Sequence, residues 1–155
     1  MEGQGRRKGS AAPAPALPLP PWRRARPSAK LIIELIKAFR FEAAHWLPAF
    51  PEGHKCRRLH GHSFVVEVCV RGPVDAATGV LMDYGDLKRI VKPYVDALDH
   101  HCLNHLGEAQ ADPWLTNPTS EHLARWFYDK LAPQLPALWY VRIRETCTSA
   151  CVYRG

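Results

Sequence analysis

Three of the four histidines between residues 41 and 62, namely His45, His60 and His62, have a spacing that could hold a metal ion. His60 and His62 are two residues apart, so their side chains share one face if the chain is extended there. His45 lies fifteen residues before His60, beyond a turn-rich segment long enough to bring a neighbouring strand alongside. Three imidazoles from two strands, with no fourth protein ligand nearby, are typical of a catalytic zinc site that keeps one position open. The spacing therefore predicts a metal site.

A cysteine between these histidines is a candidate base or nucleophile. Cys56 is preceded by Lys55 and followed by Arg57 and Arg58. Neighbouring cations favour the thiolate, which is the reactive form of the side chain. An inert, buried thiol is more often found among apolar neighbours. We therefore interpret Cys56 as a catalytic residue.

Two further groups carry weaker signals. Asp99 next to His100 suits a relay in which a carboxylate orients an imidazole. The same residues are also typical of a helix end, where a cation interacts favourably with the helix dipole. Glu145 follows Arg144 in a predicted strand, and a salt bridge at a sheet edge would explain it equally well. The residues alone leave these alternatives open.

The charge of the chain is concentrated at its N-terminal end. The 155 residues include 21 Lys and Arg against 15 Asp and Glu, a net charge of +6. Seven of the basic residues but only one acid lie in residues 1–30, so residues 31–155 hold fourteen of each. A neutral domain lacks the electrostatic footprint that binds a phosphate backbone, so we expect no nucleic-acid partner.

The composition also separates a tail from a domain. Residues 1–30 hold six of the fourteen prolines, interleaved with alanines, which predicts a disordered tail, with an organelle-targeting peptide as the alternative. Residues 31–155 are long enough for one domain. Five cysteines without a secretory signal indicate a reducing, cytoplasmic compartment. No apolar run reaches the length of a membrane span, so we expect a soluble protein.

Hydrophobic patterning predicts an α+β domain. Five segments have the alternation of strands: 31–46, 63–71, 79–83, 138–146 and 151–153. Apolar residues at helical spacing predict a helix capped by Asp83 and kinked at Pro93, followed by a loop through Pro113. A second helix is predicted with Asn117 as its cap and Pro118 as its first residue. The order indicates an antiparallel sheet with a pair of helices on one face.

Together these segments resemble one family closely. The motifs are GHKCRRLHGHS, GVLMDYGDLK, LDHHCLN, NPTSE and RETCTSAC, in this order. Over residues 34–155 they resemble the 6-pyruvoyltetrahydropterin synthase and 6-carboxytetrahydropterin synthase superfamily. The spacing from Cys56 to His62 and the C-terminal motif are most similar to the bacterial 6-carboxytetrahydropterin branch of queuosine biosynthesis. Retention of Cys56 argues against the branch that carries glutamate there.

The resemblance implies an architecture and an activity. The family fold is the tunnelling fold, in which sheets join in trimers to form a barrel. Two trimers stack into a homohexamer with active sites between subunits. The implied reaction is zinc-dependent and converts a small pterin, 7,8-dihydroneopterin triphosphate, to 6-carboxy-5,6,7,8-tetrahydropterin with release of acetaldehyde and triphosphate.

The resemblance also implies a role for each candidate residue. Zinc would be held by His45, His60 and His62. Cys56 would abstract a carbon-bound proton, with Asp99 and His100 as its relay partners. Glu145, counted with the catalytic group, would bind the guanidine-like edge of the pterin, and Thr119 and Ser120 would add further substrate contacts.

Three alternatives stay open. A 6-pyruvoyl product would place the protein in the biopterin branch. His60, His62 and Glu67 also resemble the first metal motif of cupin enzymes, although strand alternation places Glu67 on the opposite face. A non-enzymatic module stabilised by zinc through Cys147 and Cys151 would leave Cys56 without a role.

Overall fold

In a computed structural model of the protein, residues 30–155 are described, and the predicted tail lies outside them apart from its last residue. The strands are β1 (Ile32–His45), β2 (His60–Pro73), β3 (His101–Cys102), β4 (Leu138–Arg144) and β5 (Cys151–Tyr153). The helices are α1 (Tyr84–Asp96), α2 (Leu103–Gln110), α3 (Pro113–Thr116) and α4 (Ser120–Leu131). A single 3₁₀ turn, Lys55–Arg57, lies between β1 and β2. The predicted α+β class is confirmed.

The five strands form one sheet in the order β3-β1-β2-β4-β5. The neighbours β1 and β2, β2 and β4, and β4 and β5 pair antiparallel. The short β3 runs parallel to β1, with Ala43 opposite His101 and Ala44 opposite Cys102. The sheet is therefore mixed, and the prediction of a purely antiparallel sheet is wrong at this edge.

One face of the sheet is covered by α1 and α4, which are the predicted helix pair. On β2, Phe64, Val66 and Val68 are fully buried, as the alternation predicts. They belong to one core with the apolar stripes of both helices, and burying each such side chain contributes about 1.5–3 kcal/mol. Because side chains alternate along a strand, the core face of β2 also carries His60 and His62.

The helix starts test the capping predictions. Asp83 caps α1, since its carboxylate accepts hydrogen bonds from the N–H groups of Gly85 and Asp86. The helix continues through Pro93 to Asp96. The predicted start of the second helix is wrong by two residues, because Thr119 rather than Asn117 is the N-cap and α4 begins at Ser120. Thr119 Oγ1 accepts the N–H of His122, which satisfies one free donor of the first turn.

Two further segments differ from prediction. Residues 79–83 form bends that lead into α1 rather than a strand, because both edges of β2 are already paired with β1 and β4. The segment predicted as a loop before Pro113 contains β3 and α2. The chain turns onto β1 at His100, which has a left-handed backbone with φ of 59°. Within residues 30–155, no helix is both long and apolar enough to cross a bilayer.

Candidate metal centre

The three predicted histidines meet at one end of the core. His45 lies directly opposite His60 in the β1–β2 register, and His62 lies opposite Ala43, so all three rings are on the helix-covered face. Their ring centroids are 4.6 to 5.2 Å apart. One ring nitrogen of each lies within 4.8 Å of the others, which would allow a single ion to contact all three. The strand register therefore assembles the cluster that the spacing predicts.

Hydrogen bonds orient two of the rings. His45 is fully buried, and its Nδ1 donates to the carbonyl of Pro118 at 2.8 Å. Its Nε2 is buried without a hydrogen-bond partner. His60 Nδ1 donates to the carbonyl of Arg58 at 2.7 Å. Because a carbonyl oxygen only accepts, these bonds place the proton on Nδ1 and leave the Nε2 lone pair free, as in histidine ligands oriented by an outer partner.

The electrostatics of the cluster favour neutral imidazole. Burial lowers the pKa of His45 to about 4, and the neighbouring His60 and His62 act in the same direction, while the bond to Pro118 opposes them. A metal ligand must be neutral, so a histidine that resists protonation is suited to the role. The orphaned Nε2 of His45 and the all-imidazole donor set fit a zinc ion with one open position.

Cys56 lines a cleft together with two histidines of the cluster. A cleft of about 650 Å³ is lined by Cys56, His60 and His62, among others. Cys56 is in the 3₁₀ turn, where its N–H donates to His54 Nδ1 at 3.2 Å and its carbonyl accepts from Leu47 N–H at 2.8 Å. These bonds join the turn that carries Cys56 to the chain just beyond β1, the strand that ends at His45.

The predicted cations are divided between two environments. Lys55 and Arg58 line the cleft with Cys56. The guanidinium of Arg57 instead donates to the carbonyl of Phe50 at 2.8 Å. Two of the three cations are therefore placed to attract an anionic group near the thiol.

Glu145 lies across the same cleft. It follows β4 directly, and its Oε1 is buried with no hydrogen-bond partner. It also lines an adjoining depression with Ser120. Thr119 uses its hydroxyl oxygen to cap α4. A buried carboxylate oxygen without a hydrogen-bond partner destabilises the fold, and a ligand with N–H groups would supply that partner. The substrate contacts of Thr119 and Ser120 stay predictions.

Asp99 and His100 lie elsewhere. Asp99 accepts the backbone N–H of Glu42 at 2.8 Å and lies 3.0 Å from His100 Nδ1, and these hydrogen bonds lower the pKa of its carboxyl. His100 lines a second cleft of about 500 Å³, which His62 also lines. Within residues 30–155, no hydrogen bond joins Cys56 to either residue. A single chain therefore forms the Asp99–His100 pair but does not connect it to the thiol of Cys56 by a hydrogen bond.

The structure bears on two alternative metal sites, the cupin motif and a cysteine site. Glu67 pairs with Arg142 at 3.0 Å and with Arg144 at 2.9 Å, on the face opposite the histidines, so the cupin interpretation is wrong. Among the described residues, the one group with metal-binding geometry contains only imidazoles. Cys147 is exposed and Cys151 lies in β5, outside that group.

Two residues near the centre were not predicted to take part. Pro118 was interpreted only as a helix start, yet its carbonyl orients His45. Asn104, in the LDHHCLN motif, is buried and hydrogen-bonded to the residue after His45. The sequence shows Asn104 only as an amide next to an apolar residue. That pattern does not identify Trp46, 58 residues away, as its hydrogen-bond partner.

Fold and site together define a class: an α+β protein whose three-histidine centre opens onto a cleft that contains a thiol. A family model described as 6-pyruvoyl tetrahydropterin synthase matches residues 34–155, which include every residue of this centre. The chain belongs to this family.

Individual relatives agree with that assignment. The chain is 45% identical over 126 residues to a 6-carboxy-5,6,7,8-tetrahydropterin synthase of Synechocystis, covering 77% of this chain and 91% of that protein. It is 39% identical over 99 residues to a 6-pyruvoyl tetrahydrobiopterin synthase of Poecilia reticulata, covering 62% and 65%. The solved structure of 6-pyruvoyl tetrahydropterin synthase from Caenorhabditis elegans superposes with a TM-score of 0.70 at 27% identity, covering 81% and 97%. The resemblance seen in the motifs is thus confirmed at the level of the family.

Proposed function

We propose that the protein is a zinc-dependent carbon–carbon lyase that forms 6-carboxy-5,6,7,8-tetrahydropterin from 7,8-dihydroneopterin triphosphate and water. Acetaldehyde and triphosphate leave, and the product enters the cytoplasmic synthesis of queuosine. The observation that carries the proposal is one cleft lined by Cys56, by Glu145 and by His60 and His62 of the three-histidine cluster. The buried Oε1 of Glu145 has no hydrogen-bond partner. The 45% identity to a protein of that name supports the choice of reaction.

Zinc would be held by His45, His60 and His62, whose all-imidazole donor set suits it, and the buried Nε2 of His45 has no other partner. When bound, zinc supplies a Lewis acid beside the hydroxyl groups of the substrate side chain. The chain itself prepares this position, because the carbonyls of Pro118 and Arg58 orient two of the rings through their Nδ1 atoms.

The remaining groups would bind the pterin and move protons. Glu145 would accept two N–H groups of the pterin through its carboxylate, which fixes the ring in the cleft. Cys56 would then lie beside the side chain and take the carbon-bound proton, in a cleft that Lys55 and Arg58 also line. Thr119 and Ser120 would add contacts at the start of α4.

Asp99 and His100 would act from a second copy of the chain. Within residues 30–155 the sheet ends in β3 on one side and β5 on the other, and each of these edge strands pairs on only one side. Joining these edges in a trimer, and stacking two trimers as a homohexamer, would bring the Asp–His pair of one copy towards the Cys56 cleft of another. That arrangement explains why the pair is formed away from the thiol.

The alternative reaction is formation of a 6-pyruvoyl product. The 39% identity to a 6-pyruvoyl tetrahydrobiopterin synthase favours it as the second candidate. Both reactions begin with the same pterin and proton abstraction, so the cleft described above suits either of them.

A product assay separates these possibilities. Zinc-loaded protein is incubated with 7,8-dihydroneopterin triphosphate, and the products are identified by mass spectrometry, beside Cys56→Ala and the control Cys147→Ser. We expect the 6-carboxy product from the wild type and the control, and a loss of roughly 100-fold or more in the Cys56 variant. A 6-pyruvoyl product would support the alternative, and no turnover by zinc-loaded protein would contradict both.

A further inference from the structure

Asn104 is a buried polar residue to which the proposed mechanism gives no role. It lies in the first turn of α2 and is 1% exposed. Its Nδ2 donates to the carbonyls of Trp46 at 2.9 Å and Thr116 at 3.1 Å, and its Oδ1 accepts the N–H of Trp46 at 2.9 Å. Two carbonyl acceptors and one N–H donor fix the orientation of the amide, and only an amide supplies both donor and acceptor in this shape.

The side chain continues the pairing of β1 beyond the end of β3. The backbone ladder between these strands covers only Ala43 and Ala44, because α2 begins at Leu103 and turns its backbone away. The N–H and carbonyl of Trp46 would then be left without partners. The amide of Asn104 satisfies both groups and holds the strand end that carries His45.

The third hydrogen bond reaches the chain segment that leads to Pro118. Thr116 precedes Pro118 by two residues, and Pro118 provides the carbonyl that orients His45 at 2.8 Å. Trp46 directly follows His45. A single buried amide therefore binds the chain segments on both sides of the hydrogen bond between His45 and Pro118.

We propose that Asn104 is a positioning residue of the metal centre, which fixes the spacing of Trp46 and Thr116 and thereby the ring of His45. The inference rests on the proposed function, since it assumes that the three histidines hold a metal. Removal of the amide leaves the N–H and carbonyl of the half-buried Trp46 and the carbonyl of Thr116 without this partner, and frees Pro118 to shift against His45. Outer partners that orient a ligand typically change metal affinity by about 10–100-fold, and Asn104 acts through one further residue.

The test compares metal binding by Asn104→Ala and Asn104→Ser with that of the wild type. Full-length protein is freed of metal, and its affinity for Zn²⁺ and Co²⁺ is measured by competition with a chromophoric chelator. The visible absorption of the Co²⁺ form reports ligand geometry. We expect about tenfold weaker binding and an altered Co²⁺ spectrum for the alanine variant. The serine variant should fall between alanine and wild type, because its hydroxyl retains one hydrogen-bonding group.

The control is Val70→Ala, at the other end of β2 in the same core. Thermal unfolding of the metal-free proteins shows how much each substitution destabilises the fold. Val70→Ala should lower stability but leave affinity and spectrum unchanged. Should Asn104→Ala fail to fold, the serine variant carries the same comparison.

Unchanged affinity and spectrum in the Asn104 variants would overturn the inference and leave the proposed function intact. Equal losses of affinity in Val70→Ala would also overturn it, because the effect would then follow stability. A wild type that binds neither ion would overturn the proposed function itself, and the inference with it.

Discussion

The two halves of the proposed active site are built in different ways. His45, His60 and His62 come from directly paired strands, and the register brings their ring nitrogens within 4.8 Å. Asp99 and His100 come from the turn after α1, and His100 lines a different cleft from Cys56. One half is complete within a single chain, whereas the proposed catalytic relay requires a second copy.

The difference shows that strand pairing and a turn at a sheet edge determine the neighbours of a side chain to different extents. Strand pairing fixes neighbours on one face, so a His-x-His spacing already implies convergence. A turn at a sheet edge fixes only its local partners, and here Asp99 and His100 are tied to Glu42 on β1. Which groups the exposed side chains of Asp99 and His100 contact therefore depends on which strand joins that edge of the sheet.

Removal of a ligand should have the largest effect. We expect His60→Ala to weaken zinc binding by more than the roughly 100-fold that loss of an outer partner costs, and to abolish turnover. The reason is that the two remaining imidazoles bind the ion much more weakly than three. Metal content and chelator competition measure the effect. His105→Ala is the control, an exposed histidine outside the cluster, and equal metal loss in both variants would contradict the proposed ligand set.

Mixing inactive variants tests whether the relay comes from a second copy. Cys56→Ala and His100→Ala are each expected to be inactive alone. After joint dissociation and reassembly they should regain part of the wild-type turnover, because some sites then combine an intact Cys56 with an intact His100. Turnover is measured before and after reassembly, with light scattering to establish the assembly size.

The matched control mixes Cys56→Ala with His60→Ala. Both substitutions lie in the half that one chain completes, so no reassembled site contains both intact residues. We expect no recovery from this pair. Recovery in the control, or none in the test mixture, would show that the division between the two halves is drawn wrongly.

The same division explains how far the sequence predicts the structure. The face shared by His60, His62 and Phe64 is readable because a period of two needs no tertiary information. The cap at Asp83 is local too, since its carboxylate acts on the next helical turn. Both predictions are confirmed by the structure.

The unpredicted features depend on contacts that are distant in sequence. The two-residue β3 has no periodicity and exists because His100 turns the chain onto β1. The start of α4 moves to Ser120 because Thr119 provides the cap, while Pro118 stays outside the helix with its carbonyl bound to His45, 73 residues away. Local capping rules contain no information about such a partner.

Glu145 should affect substrate binding rather than metal binding. Glu145→Gln keeps the size of the side chain but replaces one acceptor oxygen with a donor. Hydrogen bonds to a charged group contribute about 1.5–3 kcal/mol, so we expect KM for the pterin to rise by roughly 10- to 100-fold. Steady-state kinetics and zinc content check this together. Loss of zinc at unchanged KM would place Glu145 with the metal ligands instead.

The smallest effect is expected on the opposite face of the sheet. Glu67 is 13% exposed and pairs with Arg142 and Arg144, so Glu67→Gln should cost about 1 kcal/mol of stability, between exposed and buried pairs. Zinc affinity should not change, because strand alternation separates Glu67 from the histidines. Glu34→Gln, from the more exposed pair with Arg71, is the control and should alter stability less. A fall in zinc affinity in Glu67→Gln alone would mean that the two faces are coupled, and that the metal half depends on more than the β1–β2 register.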